Sequence, residues 1–179
     1  DHVTSLHDFR VRIHLDAELN VPFFPLISLI YLSIFPLFWI SPFVLHSRAE
    51  VKATAESLII VILISGIFFL LVPSEPAYTP LQPVGIGSYF FQLADRINLQ
   101  YNMVPSLHVA LSLVCIDIYC SRARITGRIL LWSWAILVCV STLLTHQHHL
   151  LDVLTGMALA PVASRLIFPR LLLRSIESN

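Results

Sequence analysis

Apolar residues run along this chain in long stretches that short polar segments separate. A helix needs about 20 residues to cross the hydrocarbon core of a bilayer, and most of the stretches approach or exceed that length. Prolines inside the first stretch are expected to kink it or to trim its end. The pattern predicts five membrane-spanning helices, at residues 23–45, 53–72, 106–120, 129–145 and 150–173.

Two longer regions do not fit this pattern. Residues 1–20 mix apolar and charged side chains and predict an interfacial segment of undecided form. Residues 73–104 begin with four prolines and two glycines, which rule out a continuous helix and predict a loop. Within this loop, residues 88–99 carry apolar side chains at helical spacing. We therefore predict a short helix there, lying at the membrane surface.

The composition supports a membrane protein. Of the 179 residues, 56% are hydrophobic and 12% are charged, and the mean hydropathy is +0.79. A soluble domain of this length has too much surface to be so apolar. The formal net charge is zero, which argues against nucleic-acid binding. We expect one all-α domain over residues 1–179, a polytopic transmembrane bundle of about five spans with one short interfacial helix.

Basic residues are distributed unequally between the two ends of the predicted spans. Lysine and arginine prefer the cytoplasmic side of a membrane. One side carries only Arg10, Arg12 and Arg96, and it includes the 73–104 loop. We therefore predict that this side is the outer face and that the C-terminus is cytoplasmic. The opposite side carries Arg48, Lys52, Arg122, Arg124, Arg128, Arg170 and Arg174.

Two polar clusters lie at the outer ends of the spans, and we interpret them as one site. Residues 105–108 read Pro-Ser-Leu-His, and residues 141–152 include three histidines and an aspartate. Such groups at membrane depth are costly unless they face water, one another or a substrate. His148 and Asp152 are four residues apart and share a helix face. The carboxylate can therefore hold one imidazole nitrogen and leave the other free as a nucleophile. Ser106 can cap the third span, and the N–H groups of that helix start favour a phosphate.

The clusters resemble two motifs of the type 2 phosphatidic acid phosphatase superfamily. Residues 105–108 match its Pro-Ser-x-His motif, and Ser141, His148 and Asp152 stand in register with its Ser-Arg-x5-His-x3-Asp motif. The resemblance covers residues 20–165. The sequence around the motifs is similar to that of bacterial membrane members of the superfamily and of their inositol-phosphorylceramide-synthase-like relatives. The family core usually has six helices, one more than the five predicted here.

The resemblance implies roles for five residues. His148 would attack phosphorus and become phosphorylated, while Asp152 orients its imidazole. His108 would protonate the leaving alcohol and then accept a proton from the second nucleophile. Ser106 and Ser141 would bind the phosphate of the substrate. The alternative for Ser141 is a bond to its own helix backbone, which is commoner for an isolated serine in an apolar helix.

Three basic residues of the family motifs are missing. Thr142 stands at the arginine of the last motif, and Val72 and Thr79 stand at the two cations of the first. Phosphoryl transfer needs the charge on the equatorial oxygens to be neutralised. Arg96 is our candidate to bind the substrate in their place. The synthase-like relatives also lack the arginine of the last motif.

The resemblance implies a metal-independent lipid phosphate phosphatase that works through a phosphohistidine. Its site would face the outside of a bacterial inner membrane, and its partners would be a lipid phosphate and the bilayer. If a lipid or sugar hydroxyl replaces water as the second nucleophile, the enzyme is a phosphotransferase. The missing cations leave open a third possibility, a membrane scaffold that has lost activity.

A different class of function is metal or haem binding. By ligand type, His146, His148, His149 and Asp152 form a plausible transition-metal cluster. Adjacent histidines on a helix point in different directions, however, and a metal site would leave residues 105–108 unexplained. We predict no metal and no cofactor, and we expect His146 and His149 to be solvated residues at the rim of the site.

Overall fold

The fold is a helical bundle, as predicted, and 73% of it is helical. The described residues contain no strand, only an isolated bridge between Val11 and Ser74. A computed structural model describes residues 6, 9–75, 77–78, 81–98 and 101–177. The predictions for Thr79 and for the end of the 88–99 helix at Leu99 concern residues outside these ranges.

Short and long helices alternate along this part of the chain. Two 3₁₀ turns, Asp16–Asn20 and Pro25–Ile27, precede the first α-helix, and a π-helical turn, Ala163–Ile167, joins the last two. The α-helices are α1 Ser28–Tyr31, α2 Ile34–Trp39, α3 Ser41–Val44, α4 Arg48–Leu71, α5 Ile86–Ile97, α6 Leu107–Cys120, α7 Ile125–Leu144, α8 Leu150–Val162 and α9 Phe168–Glu177.

Three helical stretches are long and apolar enough to cross a membrane. They are Arg48–Leu71, Ile125–Leu144 and the continuous stretch Leu150–Glu177. Two shorter apolar helical segments, Pro25–Trp39 and Leu107–Cys120, accompany them. The chain is therefore an integral membrane protein.

The first apolar run does not form the single helix that its composition predicts for residues 23–45. It divides into the 3₁₀ turn Pro25–Ile27 and the short helices α1, α2 and α3. Pro36 lies in α2 and Pro42 lies in α3, and proline lacks the backbone N–H that a continuing helix would need. The run consequently packs as bent segments, with α1 against α5 and α7 and with α2 against α6.

The boundaries of α4 and α5 differ from the predicted ones because of their caps. The Ser47 Oγ accepts a hydrogen bond from the Glu50 N–H at 3.1 Å, and the Glu50 carboxylate accepts from the Ser47 N–H at 3.2 Å. This capping box starts α4 at Arg48, ahead of residue 53. Helix α5 starts at Ile86, two residues before the predicted 88, after Gly85 with φ +90°. A left-handed residue before the helix favours glycine.

Helix α6 is the centre of the bundle. From Val109 to Cys120 almost all its side chains are buried, and it contacts α2, α4, α7 and α8. It packs against Gly156 of α8, where an added Cβ would lie 2.7 Å from the Ser106 carbonyl oxygen and 3.2 Å from the Val109 Cβ. The absence of a side chain at this position therefore sets the distance between the two helices.

Gly156→Ala is expected to destabilise the protein, because the new methyl group meets backbone atoms that cannot move independently of α6. Overpacking of this kind costs about 1–3 kcal/mol. Thermal unfolding in detergent would measure the loss. Gly66→Ala is the matched control, since an added Cβ at Gly66 in α4 meets nothing within 4 Å. Equal melting temperatures for the two variants would contradict the expectation.

Candidate active site

The two polar clusters of the sequence lie side by side. Ser106 caps α6, and its buried Oγ accepts a hydrogen bond from the Val109 N–H at 3.3 Å. The Ser106 N–H donates to the backbone carbonyl of Asp152 at 3.0 Å. This bond joins the start of α6 directly to the start of α8.

A tight turn between α7 and α8 presents the histidines. His146 has φ +55°, in the left-handed region. The N–H groups of Gln147 and His148 both donate to the Thr142 carbonyl, at 3.1 and 3.2 Å. These bonds close the end of α7 and place His148 and His149 immediately before α8.

His148 and Asp152 form a buried imidazole–carboxylate pair. The His148 Nδ1–H donates to the Asp152 Oδ2 at 3.3 Å, and the same oxygen accepts the His149 backbone N–H at 2.8 Å. The two side chains are 4% and 0% exposed. The His148 Nε2 has no hydrogen-bond partner among the described residues. A carboxylate therefore holds one ring nitrogen while the other is available for chemistry.

His108 shares a small cavity with His148. The centroids of the two imidazole rings are 6.3 Å apart, and the cavity that they line has a volume of about 60 Å³. Its other lining residues are Ile97, Asn98, Asn102 and Leu107. Two imidazoles from different motifs therefore line the same small cavity.

Tyr31 of α1 holds His108 and was not expected from the sequence. The Tyr31 hydroxyl lies 2.9 Å from the His108 Nδ1, and the two rings stack with centroids 3.9 Å apart. Tyr31 is 1% exposed. Because its only signal is one tyrosine within a long apolar run, local pattern could not distinguish it from a lipid-facing aromatic.

A second imidazole–carboxylate pair stands beside the first. The His149 Nδ1–H donates to the Glu18 Oε2 at 3.1 Å, and the His149 side chain is fully buried. The expectation of a solvated His149 at the rim is therefore wrong, because Glu18 and the ring of Tyr78 cover it. Tyr78 stacks on His149 at 4.6 Å and on His146 at 4.0 Å between ring centroids. His146 is half-buried, and its Nε2 lies 2.9 Å from the Val21 carbonyl.

Burial governs the ionisation of this second pair. Desolvation lowers the pKa of His149, although the charges of Asp152 and Glu18 act in the opposite direction. Burial therefore favours the neutral form of His149, and the Glu18 carboxylate, which can only accept, favours the tautomer with the proton on Nδ1. Desolvation also raises the pKa of Tyr78 to about 12, and the charges of Glu18 and Asp152 add to this effect.

The other predicted residues occupy less central positions. The buried Ser141 Oγ donates to the Val138 carbonyl at 2.7 Å, within its own helix. The Thr142 Oγ1 likewise donates to the Cys139 carbonyl at 2.7 Å. Arg96 is an exposed residue in the last turn of α5, next in sequence to the cavity residue Ile97. Phosphate contacts by Ser141 and Arg96 remain predictions.

The histidine cluster is arranged around carboxylates. His148 bonds Asp152 and His149 bonds Glu18, so the adjacent imidazoles are directed at different partners. Within the part of the chain that the structure describes, no three His, Cys, Asp or Glu side chains are placed to hold a metal ion.

Comparison with known proteins decides the family. The sequence model described as the PAP2 superfamily matches residues 24–166, which is most of the chain. The chain belongs to the PAP2 superfamily. No curated protein and no solved structure gives a significant match.

Membership of the PAP2 superfamily accounts for the pairing of the two motifs. The matched region includes both polar clusters and the turn between α7 and α8. It begins after Glu18, at residue 24. The second imidazole–carboxylate pair therefore joins a histidine inside the matched region to a carboxylate that precedes it.

Proposed function

We propose that the protein transfers a phosphoryl group from a lipid phosphate through a phosphohistidine at His148. The observation that carries this proposal is the cavity shared by His108 and His148. The Asp152 carboxylate holds one nitrogen of His148 there, and the other nitrogen has no hydrogen-bond partner among the described residues. Family membership supports a phosphatase-type enzyme.

In the first step the lone pair of the His148 Nε2 attacks phosphorus, and the bond from phosphorus to the lipid oxygen breaks. Asp152 stabilises the imidazolium that forms, through the Nδ1–H that it already accepts. His108 gives a proton to the departing oxygen. The Tyr31 hydroxyl oxygen can accept the Nδ1–H of the protonated His108.

In the second step a hydroxyl oxygen attacks the phosphohistidine. His108, now neutral, takes the proton of this hydroxyl, and the bond between phosphorus and the His148 Nε2 breaks. With water as the attacking group the product is inorganic phosphate. Both histidines then return to their starting protonation states, so the cycle balances.

The cavity lining favours neutral donors over fixed cations. Asn98 and Asn102 line it, whereas no arginine or lysine does among the described lining residues. Amide N–H groups can hydrogen-bond phosphate oxygens, but they neutralise less charge than arginine does. The loss of the motif arginine at Thr142, shared with the synthase-like relatives, makes phosphotransfer to a lipid hydroxyl our second candidate.

We further propose that the site faces the outside of a bacterial inner membrane. The starts of α6 and α8 carry the site, and the basic residues Arg122, Arg124 and Arg128 follow the other end of α6. The excess of basic residues favours the cytoplasm for that end. A lipid phosphate would then reach the cavity from the outer leaflet, and the C-terminus would be cytoplasmic.

Phosphate release from a panel of lipid phosphates in detergent is expected to continue when EDTA is present, since the proposed steps use only protein groups. Inorganic phosphate is measured with the native chain and with His46→Ala, an exposed histidine between α3 and α4 that should be dispensable. Release that requires an added divalent cation would contradict the proposal. Transfer of label to an added lipid alcohol without phosphate release would favour the second candidate.

A further inference from the structure

Glu18 reaches the site from a distant part of the chain. It lies in the 3₁₀ turn Asp16–Asn20 and is 8% exposed. Its Oε2 accepts the His149 Nδ1–H at 3.1 Å and the Leu150 backbone N–H at 2.9 Å, and its Oε1 accepts the Leu15 N–H at 3.2 Å. Two of these three donors immediately follow His148 in sequence.

Burying a carboxylate to hold this turn in place carries a desolvation cost. Removing the charge from water costs free energy unless hydrogen bonds replace its hydration. Apolar contacts would hold the N-terminal segment without that cost. The carboxylate is instead satisfied by donors on the loop and helix that carry the nucleophile, which indicates a role in the site.

Glu18 and Asp152 each accept a hydrogen bond from one backbone N–H group at the start of α8. Asp152 accepts the N–H of His149, and Glu18 accepts the N–H of Leu150. These are adjacent amides of a helix start, where no intrahelical partner exists. Together the two carboxylates fix the backbone directly after His148.

The ring of His149 completes this attachment. Its Nδ1 is held by Glu18, its Nε2 has no partner among the described residues, and Tyr78 stacks on its face. The Tyr78 hydroxyl also donates to the backbone carbonyl of Glu18 at 3.3 Å. The buried His149 side chain therefore connects the N-terminal 3₁₀ turn to the turn between α7 and α8 that carries His148.

We propose that Glu18 is a positioning residue for His148, acting through His149 and the Leu150 amide. This inference rests on the proposed function for its kinetic consequences, but the structural attachment can be tested separately. Because Glu18 is not among the cavity-lining residues, its loss should disturb the approach of His148 to phosphorus more than substrate binding.

Three variants test the kinetic part. Glu18→Ala is expected to lower kcat about 10- to 100-fold, as removal of a partner that orients a metal-bound histidine does, with little change in KM. Glu18→Gln keeps the size and one acceptor oxygen and should recover part of the rate. Asp16→Asn is the control, because Asp16 lies in the same turn but is exposed and forms an ion pair with Arg12. A rise in KM alone, or native kcat in Glu18→Ala, would overturn the inference.

A double-mutant cycle separates positioning from general destabilisation. If Glu18 acts through His149, then Glu18→Ala combined with His149→Ala should be no slower than the slower single variant. Contacting residues behave non-additively in this way, whereas independent sites add. Multiplied losses in kcat would show that Glu18 acts by another route.

Hydrogen exchange tests the attachment even if no lipid phosphate is turned over. Peptides that cover the turn and the start of α8 should exchange faster in Glu18→Ala and Glu18→Gln than in the native chain or in Asp16→Asn. Unchanged exchange would overturn the inference whatever the activity. An inactive native chain, or an active His148→Ala, would instead count against the proposed function alone.

Discussion

His148→Ala is expected to lower turnover of lipid phosphates by at least about 10³-fold, because removal of a covalent nucleophile leaves only binding and electrostatic effects. It should also abolish covalent labelling. Native protein mixed with a ³²P-labelled lipid phosphate and quenched in alkaline denaturant should retain label that acid removes, as a phosphorus–nitrogen bond does. His148→Ala should retain none.

Two companion variants locate the effect. His46→Ala should label and turn over like the native chain. Asp152→Asn keeps an oxygen that can accept the His149 N–H but loses the charge facing His148, so label should still form, more slowly, on His148. Label that persists in His148→Ala would assign the nucleophile to another residue.

Local patterns predicted those parts of the site that lie close together in sequence. The His148–Asp152 pair follows from a four-residue spacing at a helix start. Ser106 caps α6 because serine readily accepts the third N–H of a helix. The helical bundle follows from apolar runs of membrane length. The first two inferences need only neighbours within about one helical turn, and the third needs only one continuous stretch of sequence.

Contacts between distant segments could not be predicted in this way. Tyr31 meets His108 across 77 positions, and Glu18 meets His149 across 131. Neither residue belongs to a periodic pattern that indicates its partner. Glu18 looks like any charge in a polar N-terminal segment. The solvated rim predicted for His149 was wrong for the same reason, since the residues that bury it come from other parts of the chain.

The first apolar run shows what a hydropathy pattern cannot predict about helix formation. Its length predicted a span, and its prolines predicted a kink or a shortened end. The structure instead divides the run into several short helices. This division brings the buried Tyr31 to the His108 ring. A hydropathy pattern indicates that a segment is apolar, but it does not report which backbone N–H groups find partners.

His108→Ala is expected to slow the release of an alkyl alcohol from a lipid phosphate about 10²- to 10⁴-fold, the usual contribution of a general acid. The loss should be much smaller with p-nitrophenyl phosphate, because nitrophenolate leaves without a proton. The measurement is the ratio of native to variant kcat/KM, determined for each ester and compared between the two esters. Equal losses would mean that His108 binds phosphate and does not protonate the leaving group.

Tyr31→Phe tests the same proton transfer with a smaller change, because it leaves His108 in place. It removes the hydroxyl 2.9 Å from the His108 Nδ1 but keeps the stacked ring. The loss should be smaller than for His108→Ala, with the same dependence on the leaving group. A loss that is independent of the leaving group would mean that Tyr31 supports the packing of α1 and does not support proton transfer.

The second step gives His108 a separate signature. If it also takes the proton of the attacking water, His108→Ala should form the phosphohistidine readily from p-nitrophenyl phosphate and hydrolyse it slowly. A burst of nitrophenol, followed by slow turnover and a high steady-state level of label on His148, is then expected. A burst in the variant that is absent from the native chain would assign both proton transfers to one imidazole. Near-native turnover of p-nitrophenyl phosphate with no accumulated label would restrict His108 to the first step.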